Sequence, residues 1–276
     1  MPATSSRTAF VTGASAGLGQ AFARRLLAEG FQVWGTAREI SRLAEVFADA
    51  PQFHPVALDL ADASTAVAAY TQAANAAGGA FAVVVNNAGY GVFGEFAATD
   101  FSVWRDQLDA MLMTQTELIH AQLRDLRRAG RGTLVNVASL ATEFPLPYMT
   151  GYNMAKAAMS ALSESLMQET AGESIAVIDF RPGDYRTRFN QVMPGALSRE
   201  TLPPRQQAAW SVLEANLARA PLPERAAADL WRAVRRGRSG RVRSGDFFQT
   251  MLAPLFQRLA PTALARVVRW RYFGLR

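Results

Sequence analysis

Tyr152 and Lys156 stand four residues apart in the stretch YNMAK, and no other lysine occurs in the 276 residues. Every other Lys-or-Arg position is arginine. Arginine cannot replace lysine where a compact buried ammonium is needed, because its guanidinium is a wide planar fork, whereas the ε-ammonium is a point charge on a slim stem. If Tyr152 begins a helix, Lys156 lies one turn later on the same face, which sets an ammonium beside a phenol. A phenol with an ordinary pKa of about 10 is poorly matched to proton transfer at neutral pH. A neighbouring cation favours the phenolate and reduces the mismatch.

A second group of residues is suited to phosphate. The run TGASAGLG supplies Thr12, Gly13, Ser15, Ala16, Gly17, Leu18 and Gly19 where a β-rich run gives way to a helical one. Glycine permits positive φ and a close approach of backbone to a pyrophosphate, and a helix N-terminus offers unpaired N–H groups to its charge. The spacing is G-x-x-x-G-x-G rather than G-x-G-x-x-G, but the strand-turn-helix context is that of a dinucleotide-binding turn. The next β-rich run reads WGTAREI. An acid at its end would bond a ribose 2′-OH and an arginine would accommodate a 2′-phosphate. Thr36 and Ala37 stand where the acid would be, and Arg38 follows. NADP(H) is therefore expected, with Glu39 either pointing outward or competing for the Arg38 guanidinium.

These groups need a scaffold to bring them together. The runs TAFVTG, FQVWGTA, FHPVALDL, FAVVVNN, GTLVNVAS and SIAVIDFRPG alternate with amphipathic stretches such as Leu18 to Glu29 and Ser102 to Ala129. Continuous apolar runs of this length read as strands buried on both faces, and the β-α-β alternation predicts a doubly wound parallel α/β sheet with helices on both faces. Ligands in such folds sit beyond the carboxyl ends of the strands. One domain over residues 1–276 is expected, with the proline-rich segment 190–223 as an insertion over the site and GRVRSG as a last edge strand. The composition, 50% hydrophobic and 19% charged, is that of a globular protein. With no cysteine and only His54 and His120, thiolate chemistry, Cys-ligated metals and histidine-rich metal sites are excluded, and no metal is expected. No secretory signal or membrane-spanning run is evident, so a cytoplasmic location is expected.

Four motifs in order, TGASAGLG, NNAG (Asn86 to Gly89), Ser139 and YNMAK, resemble the short-chain dehydrogenase/reductase family over roughly Thr8 to Phe189. The resemblance implies a Rossmann-type fold and an oxidoreductase, with Ser139, Tyr152 and Lys156 as its catalytic group. Ser139 would polarise a substrate carbonyl, Tyr152 would give or take the proton, and Lys156 would tune Tyr152 and bond the nicotinamide ribose. It further places Asp59 and Leu60 against adenine, Asn87, Ala88 and Gly89 along the cofactor ribose, and the segment PGDYRT, with Pro182, Gly183 and Thr187, at the nicotinamide carboxamide. A dimer or tetramer is implied as well. One position departs from the pattern: seven residues beyond Trp104, where the family commonly carries an asparagine that supports a helix distortion and a water path to the lysine, stands Met111. Main-chain carbonyls, Gln107, Thr114 or Gln115 are the available substitutes.

Two further readings stay open. The missing asparagine permits a nucleotide-binding sensor with weak or no turnover, although Ser139, Tyr152 and Lys156 together argue against it. The tail from Arg225 to Arg276 holds 12 arginines against Asp229 and Asp246. It lacks any nucleic-acid motif, so no nucleic-acid partner is expected. Its apolar residues from Phe247 onward fit either packing near the substrate cleft, with solvated arginines, or peripheral contact with an anionic membrane. Together with GVFGEF (Gly91 to Phe96) and EFPLPYM (Glu143 to Met149) as rims, they suggest a hydrophobic ketone, aldehyde or secondary alcohol as substrate, hence a carbonyl reductase.

Overall fold

Strands β1 (Thr8–Val11), β2 (Gln32–Ala37), β3 (Phe53–Ala57), β4 (Val83–Asn86), β5 (Gly132–Val137), β6 (Ile175–Pro182) and β7 (Gly240–Ser244) pair in parallel in the order β3-β2-β1-β4-β5-β6-β7. The computed structural model of the chain describes residues 7–189 and 202–275. Burial follows position in the sheet. The central strands β1, β4 and β6 are buried at every residue, whereas the edge strands β3 and β7 alternate between covered and exposed side chains. That difference is what helices on both faces of a parallel sheet produce.

One face is covered by α1 (Gly17–Ala28), α2 (Ile40–Val46) and α8 (Pro223–Arg236), which set Phe22, Leu26, Leu43, Leu230 and Trp231 against Val11, Val33, Val85 and Val135. The other face is covered by α3 (Ala63–Ala76), α5 (Gln115–Ala129) and α6 (Thr150–Glu169), with Tyr70, Leu118, Leu123, Met159 and Leu166 packed on Phe10, Trp34, Val84, Leu134 and Val177. A satisfied polar network runs through this second layer. The Asn86 amide donates to Gln122 and Asn136, and the Asn136 amide donates to the Ser163 hydroxyl, at 2.8–3.0 Å. It fixes the relative height of β4, β5, α5 and α6, which together carry much of the site.

The chain leaves β1 toward β2 on one side and returns to β4 on the other. The helices beyond β1 and β4 therefore lie on opposite faces, and the carboxyl edge between them is where doubly wound sheets bind nucleotides. The expected final edge strand is β7, paired in parallel with β6. The stretch Ser102 to Ala129, expected as one helix, is instead α4 (Phe101–Leu108), a π-helical segment (Asp109–Thr114) and α5. Of the proline-rich segment 190–223, residues 190–201 lie outside the described residues, and Pro204–Arg219 forms helix α7. His54 stacks on Trp34 with ring centroids 4.1 Å apart, and His120 is exposed on α5. Among the described residues no group of His, Asp and Glu could hold a metal ion, and no helix is long and apolar enough to cross a membrane.

Candidate active site

The turn after β1 and the loop after β4 are sewn together by one hydroxyl. Thr12 Oγ1 accepts from the backbone N–H groups of Asn87 and Ala88, each at 2.9 Å, while Asn87 Nδ2 donates back to the Thr12 carbonyl at 3.0 Å. Gly13 and Gly17 take φ of +69° and +57°, the left-handed region open to glycine. At Gly19 the constraint is space: a Cβ would sit 2.1 Å from the Gly13 carbonyl oxygen and 2.5 Å from Asn87 Nδ2. Helix α1 begins at Gly17 with Ala16 as its N-cap, no side-chain cap and no acid in the first turn. Among the described residues no side chain claims its first-turn N–H groups, and a close-approach glycine cradle lies before them. This fits the pyrophosphate of a dinucleotide.

Arg38 follows β2 on the same edge of the sheet and is exposed. The competitor foreseen in the sequence is engaged elsewhere, since Glu39 Oε2 pairs with Arg42 Nε at 2.9 Å. Arg38 has no ion-pair partner among the described residues. Asp59 and Leu60 follow β3, and Asp59 accepts from the Ala61 N–H at 3.1 Å. Burial raises the Tyr90 phenol, with the charges of Asp106 and Asp59 adding to the rise and Arg38 opposing it.

Deeper in the crevice, Ser139 lies just past β5, where its hydroxyl accepts from the Ala141 N–H at 3.0 Å and begins a short 3-10 turn. Tyr152 occupies the first turn of α6, and Lys156 follows one turn later, as the spacing required. Lys156 is buried and donates to the Val137 carbonyl at 2.7 Å, with Nζ 5.8 Å from the centre of the Tyr152 ring. A Cβ on Gly89 would lie 3.7 Å from that Nζ, so the ammonium reaches the NNAG loop as well as the end of β5. Burial pulls Lys156 down to about 8. Burial also raises the Tyr152 phenol, against a hydrogen bond from Ser139 that favours the phenolate, while the charge of Asp184 opposes ionisation. Three elements thus bring Ser139, Tyr152, Lys156 and Gly89 to one place.

The loop after Ser139 is pinned by a charged ladder. Arg181 donates to Asp179 at 2.8 Å and to Glu143 at 2.9 Å, and Arg243 holds both oxygens of Glu143 at 2.9 Å. Burial alone would raise the Glu143 carboxyl, but the Arg243 and Arg181 guanidiniums outweigh it and hold it below the usual range.

Met111 falls inside the π-helical segment, and the distortion is present without an asparagine. Its thioether accepts from the Tyr90 N–H at 3.4 Å, while Gln107 Nε2 donates to the Tyr90 carbonyl at 2.9 Å. Gln115 Nε2 donates to the Ala88 carbonyl at 2.7 Å. Two glutamines and a methionine therefore hold the loop that carries Asn87, Ala88 and Gly89. The amide oxygens of Gln107 and Gln115 are buried with no hydrogen-bond partner among the described residues. Gln107 and Gln115 were among the substitutes offered by the sequence, but their backbone partners on the Tyr90 and Ala88 carbonyls are visible only in three dimensions.

The segment PGDYRT leaves β6 at Pro182 and crosses to the glycine turn, where a Cβ on Gly17 would meet Thr187 Cγ2 at 3.3 Å. Asp184 in this segment is gripped by Gln249, which accepts from its N–H at 3.1 Å and donates to its carboxylate at 2.7 Å. Nothing in the sequence linked these two residues. The wall beside Tyr152 is apolar: Phe93, Leu146, Tyr148, Met149, Phe189 and Trp210 form one cluster with it, and the Phe189 ring is edge-on to Tyr152 at 5.5 Å. Both expected rims contribute to it. Of the tail, Phe273 and Leu275 join this cluster, whereas Phe247 to Leu259 do not.

Comparison with known proteins agrees with the geometry. The family model for short chain dehydrogenases matches residues 7–195. The chain is 33% identical over 194 residues to a sulfoacetaldehyde reductase of Chromohalobacter salexigens, covering 67% of this chain and 75% of the relative. It is 32% identical over 198 residues to a serine 3-dehydrogenase of Agrobacterium fabrum, covering 69% and 76%. Among solved structures, a short-chain dehydrogenase from Streptomyces avermitilis superposes with a TM-score of 0.80 at 26% identity, covering 99% of this chain and 98% of that one.

Proposed function

Because the chain belongs to the short-chain dehydrogenase family of oxidoreductases, we propose that it is an NADP(H)-dependent enzyme interconverting a hydrophobic ketone or aldehyde and its alcohol. The nicotinamide, when bound, supplies or accepts the hydride. The chain's own residues manage the proton and the position of the carbonyl. Tyr152 donates a proton to the carbonyl oxygen in reduction, and Ser139 donates a hydrogen bond to the same oxygen. Lys156 stabilises the phenolate that Tyr152 leaves behind and bonds the cofactor ribose.

The observation that carries this reading is the burial of the chain's sole lysine between Val137, Gly89 and Tyr152. A buried ammonium is costly, and a fold retains one where its charge is used. NADP(H) rather than NAD(H) is supported by Arg38, free of Glu39, at the end of a strand with no acid. The glycine cradle with Thr12, Asn87, Ala88, Gly89, Pro182, Gly183 and Thr187 would hold the rest of the cofactor, with Asp59 and Leu60 at the adenine. An apolar substrate is supported by the aromatic wall beside Tyr152. A homodimer or tetramer and a cytoplasmic location complete the reading.

Met111 favours one other account, a nucleotide sensor with little turnover. Against it stands the preserved π-helical segment, since Gln107 and Gln115 present buried carbonyl oxygens able to order a proton-relay water. Titration of NADPH and NADH binding, followed by a panel of apolar ketones and aldehydes scored by NADPH oxidation, separates the two. Turnover on any member of the panel supports the enzyme. Tight binding with no turnover on the whole panel supports the sensor.

A further inference from the structure

The last long apolar run of the chain is turned the wrong way for a core. Through a π-helical turn (Phe248–Leu252) and α9 (Ala253–Leu259), large apolar residues recur at Phe247, Phe248, Met251, Leu252, Leu255, Phe256 and Leu259, the spacing of one helix face. All seven are exposed, from 40% at Phe256 to 73% at Leu259. Two residues between them turn to the domain: Gln249 grips Asp184 and Pro254 is buried. A surface helix of a globular protein buries its apolar stripe and exposes its polar one. Here the arrangement is inverted. Helix α10 (Thr262–Tyr272) adds Leu264, Val267, Val268 and Tyr272, all exposed.

Charge narrows what can cover this face. From Phe247 to the end, the chain carries Arg258, Arg266, Arg269, Arg271 and Arg276 and no acid. Among the described residues, no ion pair involves Arg258, Arg266, Arg269 or Arg271. A second copy would bring two acid-free cationic faces together, and like charges in an interface are repulsive. A polyanion would use the arginines and leave the phenylalanine and leucine row in water. An interface of acyl chains beneath anionic headgroups meets both requirements at once.

We infer that residues 247–272 dock the protein on an anionic lipid surface, with the outward apolar stripe buried at the headgroup boundary and the arginines on the phosphates. The docking is peripheral, since no described helix can span a bilayer. Gln249, on the opposite side of the same turn, ties this surface to the PGDYRT segment of the site.

The test is co-sedimentation of the full chain with vesicles of phosphatidylcholine alone and of phosphatidylcholine mixed with phosphatidylglycerol. Binding to the mixed vesicles should exceed binding to the neutral ones and fall as salt is raised. Each arginine replaced among Arg258→Gln, Arg266→Gln and Arg271→Gln should lower the partition coefficient by about fivefold. The triple change Phe248→Ser, Leu252→Ser, Leu255→Ser should abolish binding while leaving NADPH titration and thermal unfolding as in wild type, because all three side chains are exposed. Equal binding to neutral and anionic vesicles, or none to either, overturns the proposal. So does light scattering that shows a wild-type dimer turned monomeric by the triple change, which would make this face a contact between copies.

Discussion

Lys156 loses most of its hydration when α6 packs on the sheet, and its acidity records the cost. Its folded pKa of about 8 lies below the unfolded value, so between the two the unfolded chain binds more protons and folding strengthens as pH rises. Below about pH 8 the full penalty is present, of order 3 kcal/mol from a shift of this size. Lys156→Met should therefore be more stable than wild type by denaturant unfolding at pH 7, even after loss of the bond to Val137. That advantage should shrink by about 3 kcal/mol as pH rises above 10. A pH-independent difference would show that the ammonium is not desolvated. Arg38 is tested through affinity. A charge-assisted bond to the 2′-phosphate is worth about 1.5–3 kcal/mol, so Arg38→Ala should weaken NADPH binding by roughly 10- to 100-fold in fluorescence titration and leave NADH unchanged. Equal losses for both cofactors would remove Arg38 from the 2′-phosphate.

At the scale of the element, the glycine turn shows how far local sequence reaches. Strand, turn and helix were legible because their residues are adjacent and each glycine has a local reason to be there. The reason for Gly19 is only partly local, since its missing Cβ makes room for Asn87, which arrives from β4. Gly19→Ala should lower NADPH affinity at least tenfold and reduce the thermal midpoint, as the added methyl forces the Gly13 carbonyl or Asn87 aside. Unchanged affinity would mean that the turn relaxes without cost. The π-helical segment was not legible. Ser102 to Ala129 carries continuous amphipathic periodicity, and the extra residue in the turn at Met111 serves a loop about twenty positions away. The same limit hid the capture of Glu39 by Arg42: the sequence offered Glu39 only against Arg38, and the geometry gives it to Arg42.

Across the whole molecule, the parallel sheet gathers scattered motifs into one crevice by ending β1, β4, β5 and β6 on one edge, with YNMAK at the start of α6 beside it. That much follows from alternation and strand composition. What binds the edge together involves residues far apart in the chain, such as Glu143 held by Arg181 and by Arg243, 100 positions on. Glu143 has a depressed pKa, so its contribution to stability is present above the ordinary carboxylate range and is lost as pH falls through its folded value. Glu143→Gln should be about 1–3 kcal/mol less stable at pH 7 by urea unfolding, and the gap should close below about pH 4. A gap that persists in acid would assign the loss to packing. The outward face of the tail was legible only as an amphipathic pattern; which way it points depends on Gln249 finding Asp184. The central claim, that this crevice carries out proton-coupled hydride transfer with Tyr152 as the proton donor, is tested most directly by Tyr152→Phe, measured side by side for NADPH binding and for turnover on the best carbonyl substrate. The account predicts binding within about twofold of wild type and turnover reduced by about 10²–10⁴-fold, the worth of a positioned general acid. Turnover equal to wild type with NADPH still bound would contradict it.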